Sequence, residues 1–165
     1  MRWMSAAVVL GVALGMAGCG GDPDAERAEV DETEQAALAA VDEVVHDVAD
    51  ATRLEFHSGD HDFVICGESY APRGVIHRVS LHFGPPDTSV ERAVEQAAEA
   101  LATDGWEVGH PGNPAIVEGV RGSNTLRFHF GGAATEVSIR SSCVETSDDV
   151  ANEYADRANV DIDWK

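Results

Sequence analysis

The chain has 165 residues, with 11 Lys+Arg against 30 Asp+Glu and a net charge of −19. An acid excess of this size repels nucleic-acid phosphates and anionic lipid headgroups, so it argues against nucleic-acid binding and against electrostatic adhesion to a membrane. The length suits one domain with a real core, and nothing along it repeats or marks a second domain.

Met1-Arg2 gives a minimal positive start, and Ala6 to Ala17 is apolar or small, centred on Val8, Val9, Leu10, Val12 and Leu14. That run is too short to span a hydrocarbon layer as a settled helix, which takes about 20 residues. A charged start, a short apolar core and small residues at its end describe a secretory signal peptide over residues 1–18. It finishes in Met16-Ala17-Gly18-Cys19, which resembles the lipobox of bacterial lipoproteins, with Met16 where leucine is usual. The resemblance implies cleavage before Cys19, lipidation of that cysteine (palmitate and related chains), and a protein held extracytoplasmically on the outer face of the cytoplasmic membrane. Ordinary secretion with Cys19 unmodified is the alternative.

With Cys19 assigned to lipid, Cys66 and Cys143 remain. Two thiols in an exported domain usually pair. The bridge would close a loop of about 78 residues, for which chain entropy gives roughly 4–5 kcal/mol. Two separate buried thiols, or more weakly a metal pair, are the other readings.

Residues 19–32 are read as a lipidated acidic tether. Gly20 to Glu32 holds Asp22, Asp24, Glu26, Glu29, Asp31 and Glu32 and almost no bulky apolar side chain, so it lacks the surface to fold. Fully extended, it would reach about 45 Å. A single α+β domain, residues 33–165, is expected to follow. Its first helix runs from about Thr33, a plausible N-cap, to Ala51, with Leu38, Val41, Val45 and Val48 at helical spacing. The acids on its polar side favour packing on a sheet over lying on a membrane.

Asp62 to Cys66 reads as a short strand and Val75 to Phe83 as a longer one. In the second, Val75, His77, Val79, Leu81 and Phe83 should be buried and Arg78, Ser80 and His82 exposed. Thr88-Ser89-Val90-Glu91 has capping-box spacing and opens a helix with the stripe Val90, Ala93, Val94, Ala97, Ala98 and Leu101. Gly105 suits its left-handed end and Trp106 folds back on it. Strands are then expected over Ile116–Arg121, over Thr125–Phe130 with Leu126, Phe128 and Phe130 inward, and over Thr135–Cys143 with Val137, Ile139, Ser141 and Cys143 inward. The turns between them are short, so the arrangement is an antiparallel meander. A short helix over Ser147–Ala158 and the alternating Val160–Trp164 close the chain. The expectation is an α+β fold: an antiparallel sheet of about five strands with two helices packed on one face.

The leader ending in Cys19, the acidic tether, the helix ending in Gly105-Trp106, the strand meander and the distant pair Cys66 and Cys143 together resemble the small uncharacterised lipoproteins of high-GC Gram-positive (actinobacterial) bacteria. The resemblance implies a compartment and helices on a sheet; it brings no catalytic residue.

Chemistry-bearing patterns are few. His57-Ser58-Gly59-Asp60-His61-Asp62 is the densest set of metal-ligand types, but Gly59 and the following strand make it a polar turn, and a metal site on His57, Asp60 and His61 is the weaker reading. His77 reads as a hydrogen-bonded core residue. Serine-nucleophile turns, phosphate loops and dinucleotide fingerprints do not occur. Strand alternation sends Arg78, His82, Arg127, His129 and Arg140 to one outward face. This is either a solvated polar face or a surface for an anionic ligand or an envelope partner, since arginine suits carboxylate and phosphate. The sequence therefore predicts a membrane-anchored, non-enzymatic binding module without cofactor. An envelope hydrolase or metal enzyme built on the His57–Asp62 cluster is the alternative.

Overall fold

The computed structural model describes residues 22–68 and 70–165; the leader, Cys19 and the first residues of the expected tether lie outside them. The alternating segments form one antiparallel sheet of eight strands: β1 (Phe56–Glu68), β2 (Ala71–Phe83), β3 (Glu107–Gly109), β4 (Ile116–Arg121), β5 (Asn124–Phe130), β6 (Thr135–Ser141), β7 (Val144–Glu145) and β8 (Val160–Asp161). Their spatial order is β3-β4-β5-β6-β2-β1-β8, with β7 paired to the start of β2. The class is the expected α+β. The count of five strands was low because β3, β7 and β8 have only two or three residues each, too few to show alternation.

The helices are α1 (Pro23–Ala40), which continues through a π-helical turn at Val41–Val45 into α2 (His46–Thr52), then α3 (Val90–Thr103) and α4 (Asp148–Ala155). They cover one face of the sheet. Ala37, Val44, Val45 and Val48 from the first helix and Ala93, Ala97 and Leu101 from α3 meet Val79, Leu81, Phe83, Leu126, Phe128, Val137 and Ile139 in one core. Trp164 of the C-terminal tail lies between the rings of His46, at 3.7 Å, and Phe56, at 5.0 Å, so the tail is pinned under the first helix. No helix among the described residues is long and apolar enough to cross a membrane.

Helix α3 ends as its sequence predicts. The Trp106 N–H donates to the Leu101 carbonyl at 2.9 Å and Gly105 takes φ 80°, the left-handed geometry that glycine permits. Its start differs by one residue: Ser89, not Thr88, is the N-cap and accepts from the Arg92 N–H at 3.3 Å.

The acidic segment expected to be a tether is helical from Pro23 onward. Asp22 caps a helix that begins at Pro23, a favoured first position, so Thr33 lies inside α1 and donates its hydroxyl to the Glu29 carbonyl at 2.9 Å. Alone, residues 23–32 would be too polar to fold; α4, over 100 residues later, supplies what they lack. Arg27 donates to Glu153 at 2.8 and 3.0 Å, and Ser147 donates to Glu26 through both its N–H and its hydroxyl. The Tyr154 hydroxyl donates to Asp31 at 2.6 Å, and Val30 packs with Phe63, Val75, Val144, Val150 and Tyr154. Burial and the Asp31 carboxylate push the Tyr154 phenol up to about 12.

The first strand is also longer than expected. Residues 57–61 are not a turn: they belong to the 13-residue β1, which pairs with β2 from Phe56 to Glu68 around a bulge at His57. The long partner strand satisfies the backbone of this polar stretch, which its side chains alone do not reveal. Cys66 and Cys143 are bonded, with Cα atoms 6.0 Å apart. Cys143 sits beyond the end of β6 and is partly exposed, so the inward strand position expected for it is not what the fold uses.

Candidate functional site

The uncovered face of the sheet is built by the even-numbered residues of β1 from Ser58 to Val64, those of β2, β4 and β6, and the odd-numbered ones of β5. Strand register places them in rows. One row runs Asp62, Arg78, Arg140, Thr125; the next runs Asp60, Ser80, Ser138, Arg127, Glu118; the third runs Ser58, His82, Glu136, His129. The five residues picked out by alternation, Arg78, His82, Arg127, His129 and Arg140, are all exposed on this face.

The three arginines line one shallow depression of about 380 Å³, floored by Ser80, Thr125 and Ser138. Two of them are held by carboxylates at its rim. Arg78 donates to both oxygens of Asp62, with Nε at 2.9 Å from Oδ1. Arg127 donates to Glu118 through Nε at 2.9 Å and Nη2 at 2.7 Å. Arg140 makes no ion pair or side-chain hydrogen bond among the described residues and lies directly across from Arg78. Like charges opposed on neighbouring strands destabilise a sheet, and here the Asp62 carboxylate on Arg78 offsets part of that cost while Arg140 has no such partner among the described residues. His82, His129 and Glu136 edge an adjoining hollow of about 250 Å³. Chemically the face offers fixed guanidinium donors, one uncommitted guanidinium and three hydroxyls, a set suited to an oxyanion.

The metal reading on His57, Asp60 and His61 is not assembled. His57 is exposed at the bulge, Asp60 turns to the outward face and accepts from Asn159 at 3.1 Å, and only His61 turns inward. There His61 meets two residues that the sequence did not connect to it. His61 Nδ1 is 3.2 Å from His77 Nε2 and 3.4 Å from Glu34 Oε1 of α1. His77 is buried, as alternation predicts, and its backbone N–H donates to Ser141 Oγ at 2.9 Å, while its ring Nδ1 has no hydrogen-bond partner among the described residues. Burial, and next the neighbouring His61, bring the His77 imidazole down to about 4, so it is neutral near pH 7. A signal for this cluster existed in the hairpin: His61 pairs with Val79 and Phe63 with His77, which makes the two histidines diagonal neighbours on the inward face.

No protein-family model matches the chain, and no curated protein or solved structure is significantly similar to it.

Proposed function

We propose that this protein is a non-enzymatic binding module of the cell envelope. It is anchored through lipid on Cys19 at the outer face of the cytoplasmic membrane, and its open sheet face takes an anionic group of a ligand or partner protein. The observation that carries the reading is Arg140: it has no counter-charge among the described residues, it faces Arg78, and it shares one depression with Arg78 and Arg127. A purely solvated face gains nothing from holding two guanidiniums opposite one another. An oxyanion placed between them removes the repulsion and adds charge-assisted bonds, each contributing about 1.5–3 kcal/mol before desolvation.

The anchor and the helix start set the geometry of presentation. Three residues separate Cys19 from Pro23, a reach of about 10 Å when extended. The domain would thus ride close to the bilayer, not at the end of a long tether.

Titration of the isotope-labelled soluble domain with inorganic phosphate, and separately with succinate, tests the proposal. Amide shifts should concentrate on β2, β5 and β6 around Ser80, Thr125 and Ser138 and should be lost in Arg140→Thr. Shifts that scatter over the surface, or that persist unchanged in the variant, would refute an anion site here.

A further inference from the structure

We propose that Glu34, His61 and His77 form a binding site for a divalent transition-metal cation, of the class that takes imidazole and carboxylate ligands, on the helix-covered side of the sheet. The site is independent of the arginine face, from which the sheet itself separates it.

Geometry comes first. Each of the three residues offers a donor atom, and all three atoms lie within 4.8 Å of one another. The two spacings from His61 Nδ1, 3.2 Å to His77 Nε2 and 3.4 Å to Glu34 Oε1, are those of neighbouring ligands on one ion. Bonds of about 2.1 Å at tetrahedral angles put ligand atoms about 3.4 Å apart. The three come from three elements, α1, β1 and β2, which the core already holds together, so the set is organised before any ion arrives.

Hydrogen bonding alone serves the cluster poorly. His61 Nδ1 sits between an imidazole nitrogen and a carboxylate oxygen. If it carries hydrogen, that hydrogen is shared between two acceptors, the His77 Nε2 lone pair and the Glu34 carboxylate. If it is bare, its lone pair faces the Glu34 carboxylate. A cation placed among the three atoms is met by all three lone pairs at once.

Charge and access agree. Two neutral imidazoles and one carboxylate leave a divalent ion with residual positive charge. His61 also walls an open pocket of about 200 Å³ that carries Asp42, Asp161 and Asp163, so the approach is strongly acidic and leaves room for a water as a further ligand. Imidazole with carboxylate suits zinc and its first-row neighbours better than calcium or magnesium, which prefer all-oxygen shells.

The test uses the soluble domain, stripped with chelator and titrated with zinc against a chromogenic competitor, with cobalt as a spectroscopic probe. One equivalent of zinc should bind, the unfolding temperature should rise with zinc concentration, and cobalt should give the visible bands of a low-coordinate N/O site. Glu34→Gln, on a partly exposed side chain, and His61→Ala should each weaken zinc at least tenfold. His57→Ala and Asp60→Asn should leave it unchanged. Circular dichroism of the metal-free variants separates a lost ligand from a lost fold, and Glu34→Gln carries the test if His61→Ala fails to fold. Stoichiometric zinc that binds the Glu34→Gln and His61→Ala variants as tightly as the wild type, or no stoichiometric zinc at all, would overturn the proposal.

Discussion

Arg140→Thr should make the free protein more stable and a worse binder, a combination that few surface substitutions produce. Arg78 and Arg140 are direct cross-strand partners, and among the described residues only Arg78 is paired with a carboxylate. Side chains so placed put their charges roughly 6 Å apart, which for bare charges in water corresponds to about 0.7 kcal/mol of repulsion, and the Asp62 carboxylate on Arg78 offsets part of it. Screening at physiological ionic strength cuts that to about 0.3 kcal/mol. Threonine suits a half-exposed strand, so its own preference does not oppose the gain. Urea denaturation in low salt should therefore show the variant more stable by up to about 0.5 kcal/mol, with the difference shrinking as sodium chloride is added. Phosphate should reverse the order. At tenfold above its dissociation constant a specific site stabilises by about 1.4 kcal/mol, and the variant should forgo most of that while keeping the general salting effect common to both proteins. A variant less stable at low salt, by an amount salt does not change, and stabilised by phosphate as much as the wild type, would show that Arg140 acts through packing and that the face has no anion site.

Tyr154→Phe should cost about 1–2 kcal/mol by leaving Asp31 and the Arg27 carbonyl without the hydroxyl, and hydrogen exchange should report the loss first in residues 23–32. Gly74→Ala should cost more than 2 kcal/mol or prevent folding, because Gly74 takes φ 151° and a methyl there would overlap the Val144 carbonyl, parting β7 from β2; thermal unfolding measures it. His77 has a folded-state value lowered from 6.5 to about 4. The unfolded chain therefore binds the proton first, and the stability due to neutral His77 is whole above pH 6.5 and is lost as pH falls toward 4. Metal-free wild type should lose stability across that window, by up to about 3 kcal/mol from this residue, and His77→Gln should show a shallower loss in urea melts at each pH. Cys19→Ala should release the protein from cells or leave its precursor uncleaved, and mass spectrometry of a wild-type chain with an unmodified N-terminus would refute the anchor.

Most of the sheet was legible because its long strands alternate cleanly. Leu126, Phe128 and Phe130, or Val137 and Ile139, admit only one inward face, and the outward arginines follow from them without any further information. Helix α3 was legible through its stripe and its Gly105-Trp106 ending. The first helix was legible only from Thr33 onward, because residues 23–32 hold one large apolar residue, Val30, and are stabilised by Glu153, Ser147 and Tyr154 from the far end of the chain. Local composition cannot report a partner that distant, although Asp22-Pro23 is itself a helix-start pair. The His57–Asp62 stretch misled for a related reason. Its metal-ligand side chains are close in sequence but alternate between faces once paired with β2, whereas Glu34, His61 and His77 are distant in sequence and converge through the hairpin and the overlying helix.

On the proposed function, the open sheet face is where this domain meets its partner. A photo-crosslinking residue at Ser138, in the middle of that face, tests it on intact cells against the same residue at Glu99, on the outer side of α3. The face reading predicts a discrete adduct from position 138 that disappears when Arg140→Thr is added, and none from position 99. Equal adducts from both positions, or an adduct at 138 that is indifferent to Arg140, would contradict it.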